Sequence, residues 1–283
     1  MPMAISESAT TLSVWLARST QALERAGSVS PRAEAERLAA FALGIEWSGL
    51  WARLRDDADA EALDALLMRR IAGEPLAYIT GCAVFHGLEI ACGPGALVPR
   101  PETETLVDVA IELLRGRSEP IVCDVGTGTG CVAIAIAKQR PDAQVWATDI
   151  SRGALAWAER NARAHGVEVE LACGDLLAAV PARLRGGIDL VVSNPPYVAD
   201  GTELPPDLGA EPREALFAGP TGDEVLERLI EQATDWLKPD GALAVEVGTP
   251  EQAAHIADLV GGEVTNDHTG RPRIVWMRRR RPL

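Results

Sequence analysis

From residue 102 onward the chain alternates two textures, and that alternation restricts its possible folds more than any other feature. Short apolar runs at 120–125, 143–148, 167–172, 188–193, 241–247, 262–266 and 272–277 read as strands. Between them, 102–115, 129–139, 152–165, 222–238 and 250–260 carry apolar residues at helical spacing. Strands separated by helix-length connections pair in parallel, with the helices laid on the sheet faces. The sequence therefore predicts an α/β fold around a seven-stranded, doubly wound sheet.

The first 75 residues lack this alternation. "TLSVWLARSTQALERAG", "SPRAEAERLAAFALG" and "DAEALDALLMRRIAG" each repeat apolar residues at helical spacing. In the second, Ser30 is placed as a cap, Pro31 as the first helical residue and Gly44 as the stop. The third has acids early, arginines late and Gly73 at its end. Residues 76–100 mix β-formers with Gly and Pro and read as a linker with a β-hairpin. The expected division is a helical bundle at 1–75, a linker at 76–100 and an α/β domain at 101–283. A chain of 283 residues suits one large domain with a small companion.

Several classes of partner are disfavoured. The longest apolar run, "CVAIAIA" at 131–137, is far short of a membrane span, and no basic start leads into an apolar block. The five cysteines and four histidines are scattered, which predicts neither a disulfide framework nor a metal site and suits a reducing cytosol. A formal charge of −14 disfavours a nucleic-acid partner. Arg278–Arg281 read as a solvated tail.

The chemistry concentrates at strand ends, where open α/β sheets bind ligands. "PIVCDV" runs into Gly126, Thr127, Gly128, Thr129 and Gly130, and a helix follows. The spacing is G-x-G-x-G, and Cys131 stands where the dinucleotide fingerprint would need Gly or Ala. Asp149 closes the next strand, 23 residues after Gly126, an offset suited to accepting from ribose hydroxyls. Asp175 closes the strand after that and can accept from an adenine amino group. Each acid alone reads as a loop cap; in register they predict a nucleoside site. No lysine follows the loop, so it is not a phosphate-binding loop. This pattern resembles the class I S-adenosylmethionine-dependent methyltransferases, which implies S-adenosylmethionine as methyl donor.

"SNPPYV" at 193–198 ends a strand on residues that cannot continue it. An amide or ring-amine nitrogen is a poor nucleophile because its lone pair is delocalised. Two acceptors, the Asn194 side-chain carbonyl and the Pro195 backbone carbonyl, can grip its two N–H groups and aim it at a methyl donor. Pro196 stiffens the turn. Tyr197 offers a stacking surface. The motif sets nitrogen chemistry and leaves open a protein glutamine or a nucleobase.

Nine stretches bear on that choice: "GEPLAYITG", "FHGLEI", "LVPRPETETLV", "DVGTGTGCVAIAIA", "ATDIS", "SNPPYV", "EPREALFAG", "VEVG" and "GRPRIV". Together they resemble the protein N5-glutamine methyltransferases that modify peptide chain release factors, the PrmC/HemK family. The resemblance implies a Rossmann-like methyltransferase sheet and an N-terminal bundle that recognises substrate. It implies S-adenosylmethionine contacts from Gly126 to Gly130, Asp149 and Asn194, and a substrate glutamine of a Gly-Gly-Gln loop held at Asn194–Tyr197. Where relatives often carry Trp after the third strand-end acid, this chain has Leu176 beside the adenine position; their Asp-Gly before a later helix is reversed here as Gly222-Asp223. Arg100, Glu102 and Glu104 of "PRPETE" read either as a charge cluster bracing the linker or, for the two acids, as first-turn helix residues. A monomeric cytosolic enzyme acting on release factors is the expectation. The alternatives are a glutamine methyltransferase acting on a large-subunit ribosomal protein and a DNA or RNA base amino methyltransferase.

Overall fold

The computed structural model describes residues 10–279. The chain divides into two compact units. One is the chain up to Gly81 together with Leu204–Ala210; the other is Cys82–Glu203 with the residues from Glu211 onward.

The first unit is helical: α1 (Leu12–Arg25), α2 (Pro31–Leu43), α3 (Ala60–Ile71) and α4 (Leu76–Thr80), with a 3-10 turn at Trp47–Arg53. Pro31 opens α2, and Gly44 ends it in the left-handed conformation. Ser30 holds the N-cap position of α2, but its side chain makes no capping hydrogen bond. At α3 the Asp59 carboxylate does cap, accepting from the Ala62 N–H at 3.1 Å. Leu12, Trp15, Leu16, Leu38, Leu50 and Leu63 form the core of this unit. The Trp15 indole N–H donates to Asp64 Oδ1 at 2.8 Å, so the largest buried ring keeps its polar atom satisfied.

The second unit begins with the hairpin β1 (Cys82–Phe85) and β2 (Leu88–Ala91). His86 and Gly87 both have positive φ, 50° and 74°, as a two-residue hairpin turn with right-handed strand twist requires. There follow α5 (Glu104–Leu113), β3 (Ile121–Val125), α6 (Cys131–Gln139), β4 (Gln144–Asp149), α7 (Arg152–His165), β5 (Glu170–Cys173), β6 (Ile188–Ser193) and β7 (Val198–Ala199). The chain then contributes α8 (Pro206–Gly209) to the first unit. It continues as β8 (Phe217–Gly219), α9 (Glu224–Trp236), β9 (Leu237–Glu246), α10 (Pro250–Val260), β10 (Glu263–Asn266) and β11 (Pro272–Arg278).

Seven strands form one sheet in the order β10-β11-β9-β6-β3-β4-β5. β9, β6, β3, β4 and β5 run parallel, and β11 is inserted antiparallel between β10 and β9. Alternate residues feed two cores. Val122, Leu190, Ala242 and Ala244 join Leu106 and Val107 of α5 and Ile136 of α6 on one face. Cys123, Val191, Leu243 and Val245 join Leu226 and Leu229 of α9 and Ile256 of α10 on the other. The strand order reverses between β3 and β6, so their carboxyl ends open the crevice where such folds bind ligands. The Ser193 hydroxyl donates to Val125 O at 2.6 Å and ties those two ends together.

Arg278 and Arg279 do not behave as a solvated tail. Their guanidinium groups donate to Leu113 O at 2.8 Å and Leu237 O at 2.5 Å, because β11 carries them over the ends of α5 and α9. Arg280 and Arg281 lie outside the described residues. Among the described residues no helix is long and apolar enough to cross a membrane.

Candidate active site

The loop after β3 is shaped by backbone bonds. The Gly126 and Thr127 N–H groups both donate to Thr148 O, at 2.8 and 2.9 Å, which folds the loop over the end of β4. Beneath it, the buried Asp124 accepts from the Thr127 hydroxyl at 2.6 Å and from the Ala133 N–H at 3.2 Å. Burial pushes the Asp124 carboxyl up to about 7, against the pull of those two donors. Gly130 has φ +81°, and a Cβ there would stand 3.0 Å from Ala158 Cβ. Its role is therefore to let α6 and α7 approach.

Asp149, at the end of β4, accepts from the Gly128 N–H at 2.9 Å and from the Ser151 N–H at 2.8 Å. Burial raises its pKa, and the nearby Glu214 charge adds to the rise. A cleft of about 240 Å³ opens beside it. Gly126, Gly128, Asp149, Asp175, Leu176, Asn194 and Pro196 all line this cleft. Thr127 and Thr129 line a recess of about 40 Å³, with Gly126, Gly128 and Asn194 common to both cavities. Gly130 lines neither. Leu176 sits at φ +50°, an unusual conformation for its branched side chain. Its neighbour Asp175 is paired with Arg228, so one side of that carboxylate is already engaged.

These residues fit a cationic nucleoside. Ile150, Phe217 and Val225 supply apolar wall, while Asp149 and Glu214 supply acceptors and negative charge. Glu214 was not legible as a lining residue, because it comes from the segment "EPREALFAG", whose approach to β4 is a tertiary event.

At the end of β6, Asn194 is half-buried and Pro195 is buried. The Asn194 Nδ2–H donates to Thr103 Oγ1 at 3.0 Å, which leaves Oδ1 as the amide's acceptor end. Tyr197 lines neither cavity. Its ring packs on Gly248, where a Cβ would stand 2.6 Å from Tyr197 Cδ2, and its hydroxyl reaches Glu246 Oε1 at 3.4 Å. Burial and the Glu246 charge raise the phenol's pKa.

The "PRPETE" residues have separate partners. Arg100 pairs with the buried Glu211, which also accepts from the Val98 N–H at 2.8 Å. Glu104 accepts from the His86 N–H at 2.9 Å and secures the β1–β2 turn. Glu102 lies in the 3-10 turn Pro101–Thr103 that leads into α5. Thr103 and Glu246 were not singled out from sequence. The available signal was Glu246 itself, a carboxylate inside "ALAVEV", since a charge in a buried strand needs a partner.

Sequence comparison places this arrangement. The PrmC N-terminal domain matches residues 14–81, and the methyltransferase small domain matches residues 103–210. The release factor glutamine methyltransferase of Mycolicibacterium smegmatis is 39% identical over 267 residues, covering 90% of this chain and 93% of that protein. The enzyme of that name from Streptomyces coelicolor is 41% identical, covering 88% and 86%. The chain belongs to the release factor glutamine methyltransferase family. Two solved structures share its fold. The hMettl16 catalytic domain has TM-score 0.56 at 16% identity, covering 75% of this chain and 84% of that one. The T. thermophilus 16S rRNA methyltransferase RsmC has TM-score 0.51 at 17% identity, covering 70% and 50%.

The Gly222-Asp223 order of this release factor glutamine methyltransferase family member has a steric basis. Gly222 has φ +90°, and a Cβ there would stand 2.6 Å from Tyr197 O. The Gln252 amide N–H groups donate to Gly222 O at 3.1 Å and Asp223 Oδ1 at 2.7 Å. Gln252 Oε1 accepts from the Gly248 N–H at 2.7 Å. One side chain thus fixes both glycines that flank Tyr197.

Proposed function

We propose that the protein transfers a methyl group from S-adenosylmethionine to the side-chain amide N5 of the glutamine in the Gly-Gly-Gln loop of peptide chain release factors. The observation that carries the reading is Asn194. It lies where the two cavities meet, with its NH₂ committed to Thr103 and its oxygen available as acceptor. The family supports a glutamine amide as the group accepted.

When bound, S-adenosylmethionine supplies an electrophilic methyl carbon on a sulfonium. Asp149 would hold the ribose hydroxyls, Asp175 and Leu176 would flank the adenine, and the loop from Gly126 to Gly130 would pass against the remainder. Asn194 Oδ1 and the Pro195 carbonyl would accept the two N–H groups of the substrate amide. Both interactions strengthen as the nitrogen becomes positive, so they favour the transition state over the ground state. The alkylated amide is acidic and gives up its proton without a dedicated base. Tyr197, held on Gly248 and Glu246, would form the wall against which the flat amide rests.

The helical unit is proposed as the release-factor docking surface, because residues 14–81 match a domain particular to this family. The reading is of a monomer in the cytosol, where translation occurs. Its acidic balance, −14, supports a protein rather than a nucleic-acid substrate. Mass spectrometry of release-factor loop peptides, after incubation with the protein and S-adenosylmethionine, tests it. One added methyl on the Gly-Gly-Gln glutamine is expected. Methylation of a ribosomal protein or of nucleic acid, with none on the release factor, would overturn it.

A further inference from the structure

A ring that supports a flat amide must itself be fixed, because a reactive pose tolerates little movement of its wall. Nothing within the Asn-Pro-Pro-Tyr turn fixes Tyr197. Its hydroxyl reaches Glu246 Oε1 at 3.4 Å, which is long for an O–H···O bond. The ring is held instead by two loops that close on it, one before α9 and one between β9 and α10.

Both loops touch Tyr197 through glycine. A Cβ at Gly222 would stand 2.6 Å from Tyr197 O and 3.1 Å from Ala199 N. A Cβ at Gly248 would stand 2.6 Å from Tyr197 Cδ2 and 3.0 Å from Cε2. The first loop therefore presses on the backbone of Tyr197 and the second on its ring. Bare backbone makes the close approach possible, but glycine is the residue least able to hold a loop still.

Gln252, buried in the first turn of α10, ties the two loops together. Its Oε1 accepts from the Gly248 N–H at 2.7 Å. Its Nε2 donates to Gly222 O at 3.1 Å and to Asp223 Oδ1 at 2.7 Å. Both amide protons and the amide oxygen are thus engaged. The Gln252 backbone N–H donates to Thr249 Oγ1 at 3.1 Å, so the side chain springs from a capped helix end. The two ends of the amide are not interchangeable here. Turned over, Nε2 would face the Gly248 N–H, and Oε1 would face two acceptors.

Building on the proposed amide chemistry, we propose that Gln252 is a positioning residue that cross-braces the Gly222 and Gly248 loops and so holds the Tyr197 ring in the pose that supports the substrate amide. Gln252, Gly222, Asp223 and Gly248 line neither cavity of the donor site, so the brace acts on the acceptor side alone. It requires two donors and one acceptor in a single side chain. Glutamine supplies them; an ionised glutamate has the length and the acceptor but no proton to give.

The test uses the full chain at pH 8, with Gln252→Met, Gln252→Glu and the double variant Gln252→Glu with Asp223→Asn beside wild type. Each folded variant is measured for S-adenosylmethionine affinity by calorimetry and for kcat and KM on the Gly-Gly-Gln peptide. The chain has two tyrosines, Tyr78 and Tyr197, so 3-fluorotyrosine labelling places one fluorine probe in each unit, and Tyr197→Phe assigns the signals. Gln252→Met removes all three bonds without adding charge. Gln252→Glu keeps the bond from Gly248 but sets a carboxylate against Gly222 O and the Asp223 carboxylate. Each should lower kcat by about 10- to 100-fold, leave donor affinity unchanged, and shift or broaden the Tyr197 signal while the Tyr78 signal stays in place. In the double variant the new amide at 223 can donate to the new carboxylate at 252, so kcat and the Tyr197 signal should move back toward wild type. A role in stability alone would lower the unfolding midpoint and leave both readouts of the folded protein untouched. A folded Gln252→Met protein with wild-type kcat, or with an unmoved Tyr197 signal, would overturn the proposal. Absence of peptide methylation by wild type, with the Tyr197 signal still responding as expected, would overturn the substrate assignment and leave the brace standing.

Discussion

Two adjacent strand ends solve opposite problems. After β3 the chain runs through three glycines, and its contacts are made by backbone N–H groups: Gly126 and Thr127 to Thr148, Gly128 to Asp149. After β6 it runs into two prolines, which donate nothing, and the polar work passes to the Asn194 side chain and a carbonyl. The glycine loop follows a ligand's contour, so it needs backbone freedom. The proline turn must present acceptors to one nitrogen, so it needs rigidity and a side chain held from outside. The lesson is that the first loop is positioned by the strands it touches, while the second depends on residues far away in sequence.

The comparison breaks most visibly at Asn194. Asn194→Ala should lower methyl transfer by about 100-fold or more, with thermal unfolding near that of wild type. Steady-state kinetics with calorimetry checks this. Near-normal turnover would show that the proline turn grips nothing through its side chain.

On the glycine side, Asp149→Ala should weaken S-adenosylmethionine binding by about 1–3 kcal/mol without moving kcat at saturating donor. Calorimetry reads the difference. Unchanged affinity would assign Asp149 to loop capping, through its bonds to Gly128 and Ser151.

A smaller contrast lies inside the glycine loop. Gly130→Ala meets Ala158 at 3.0 Å as well as a left-handed φ, so it should cost about 2–3 kcal/mol of stability. Gly128→Ala has φ +56° but nothing within 4 Å, so only the conformational cost of about 1 kcal/mol applies. Denaturant unfolding of both variants separates close approach from backbone conformation; equal losses would contradict the distinction.

Much of the fold is readable in the sequence because parallel strands buried on both faces leave unbroken apolar runs. "IDLVVS" is β6 to the residue, and the expected helices at 152–165 and 250–260 coincide with α7 and α10. Where periodicity ends, legibility ends. β9 starts at Leu237 rather than 241, because Leu237 pairs with Ile188 before a register shift. A chain carrying "KPDG" gives no hint of that pairing. At the candidate site, the strand-end positions of Gly126, Asp149 and Asn194 follow from strand prediction alone. Thr103 and Asn194 meet only because α5 packs over the face that carries Val122 and Ala244. No local pattern encodes such a meeting.

Leu204–Ala210 leaves the sheet-bearing unit, joins the helical one and comes back. The polypeptide therefore passes between the two units three times, at Gly81, Glu203 and Ala210. A protease nick after Gly81 would free the N-terminal helices covalently, and their packing with Leu204–Ala210 would be what still held the two fragments together. Deleting everything before residue 82 would strip α8 of the helices it folds with, among them the Arg70 partner of Asp207. Transplanting this catalytic unit onto another recognition domain would therefore call for three splice junctions rather than one.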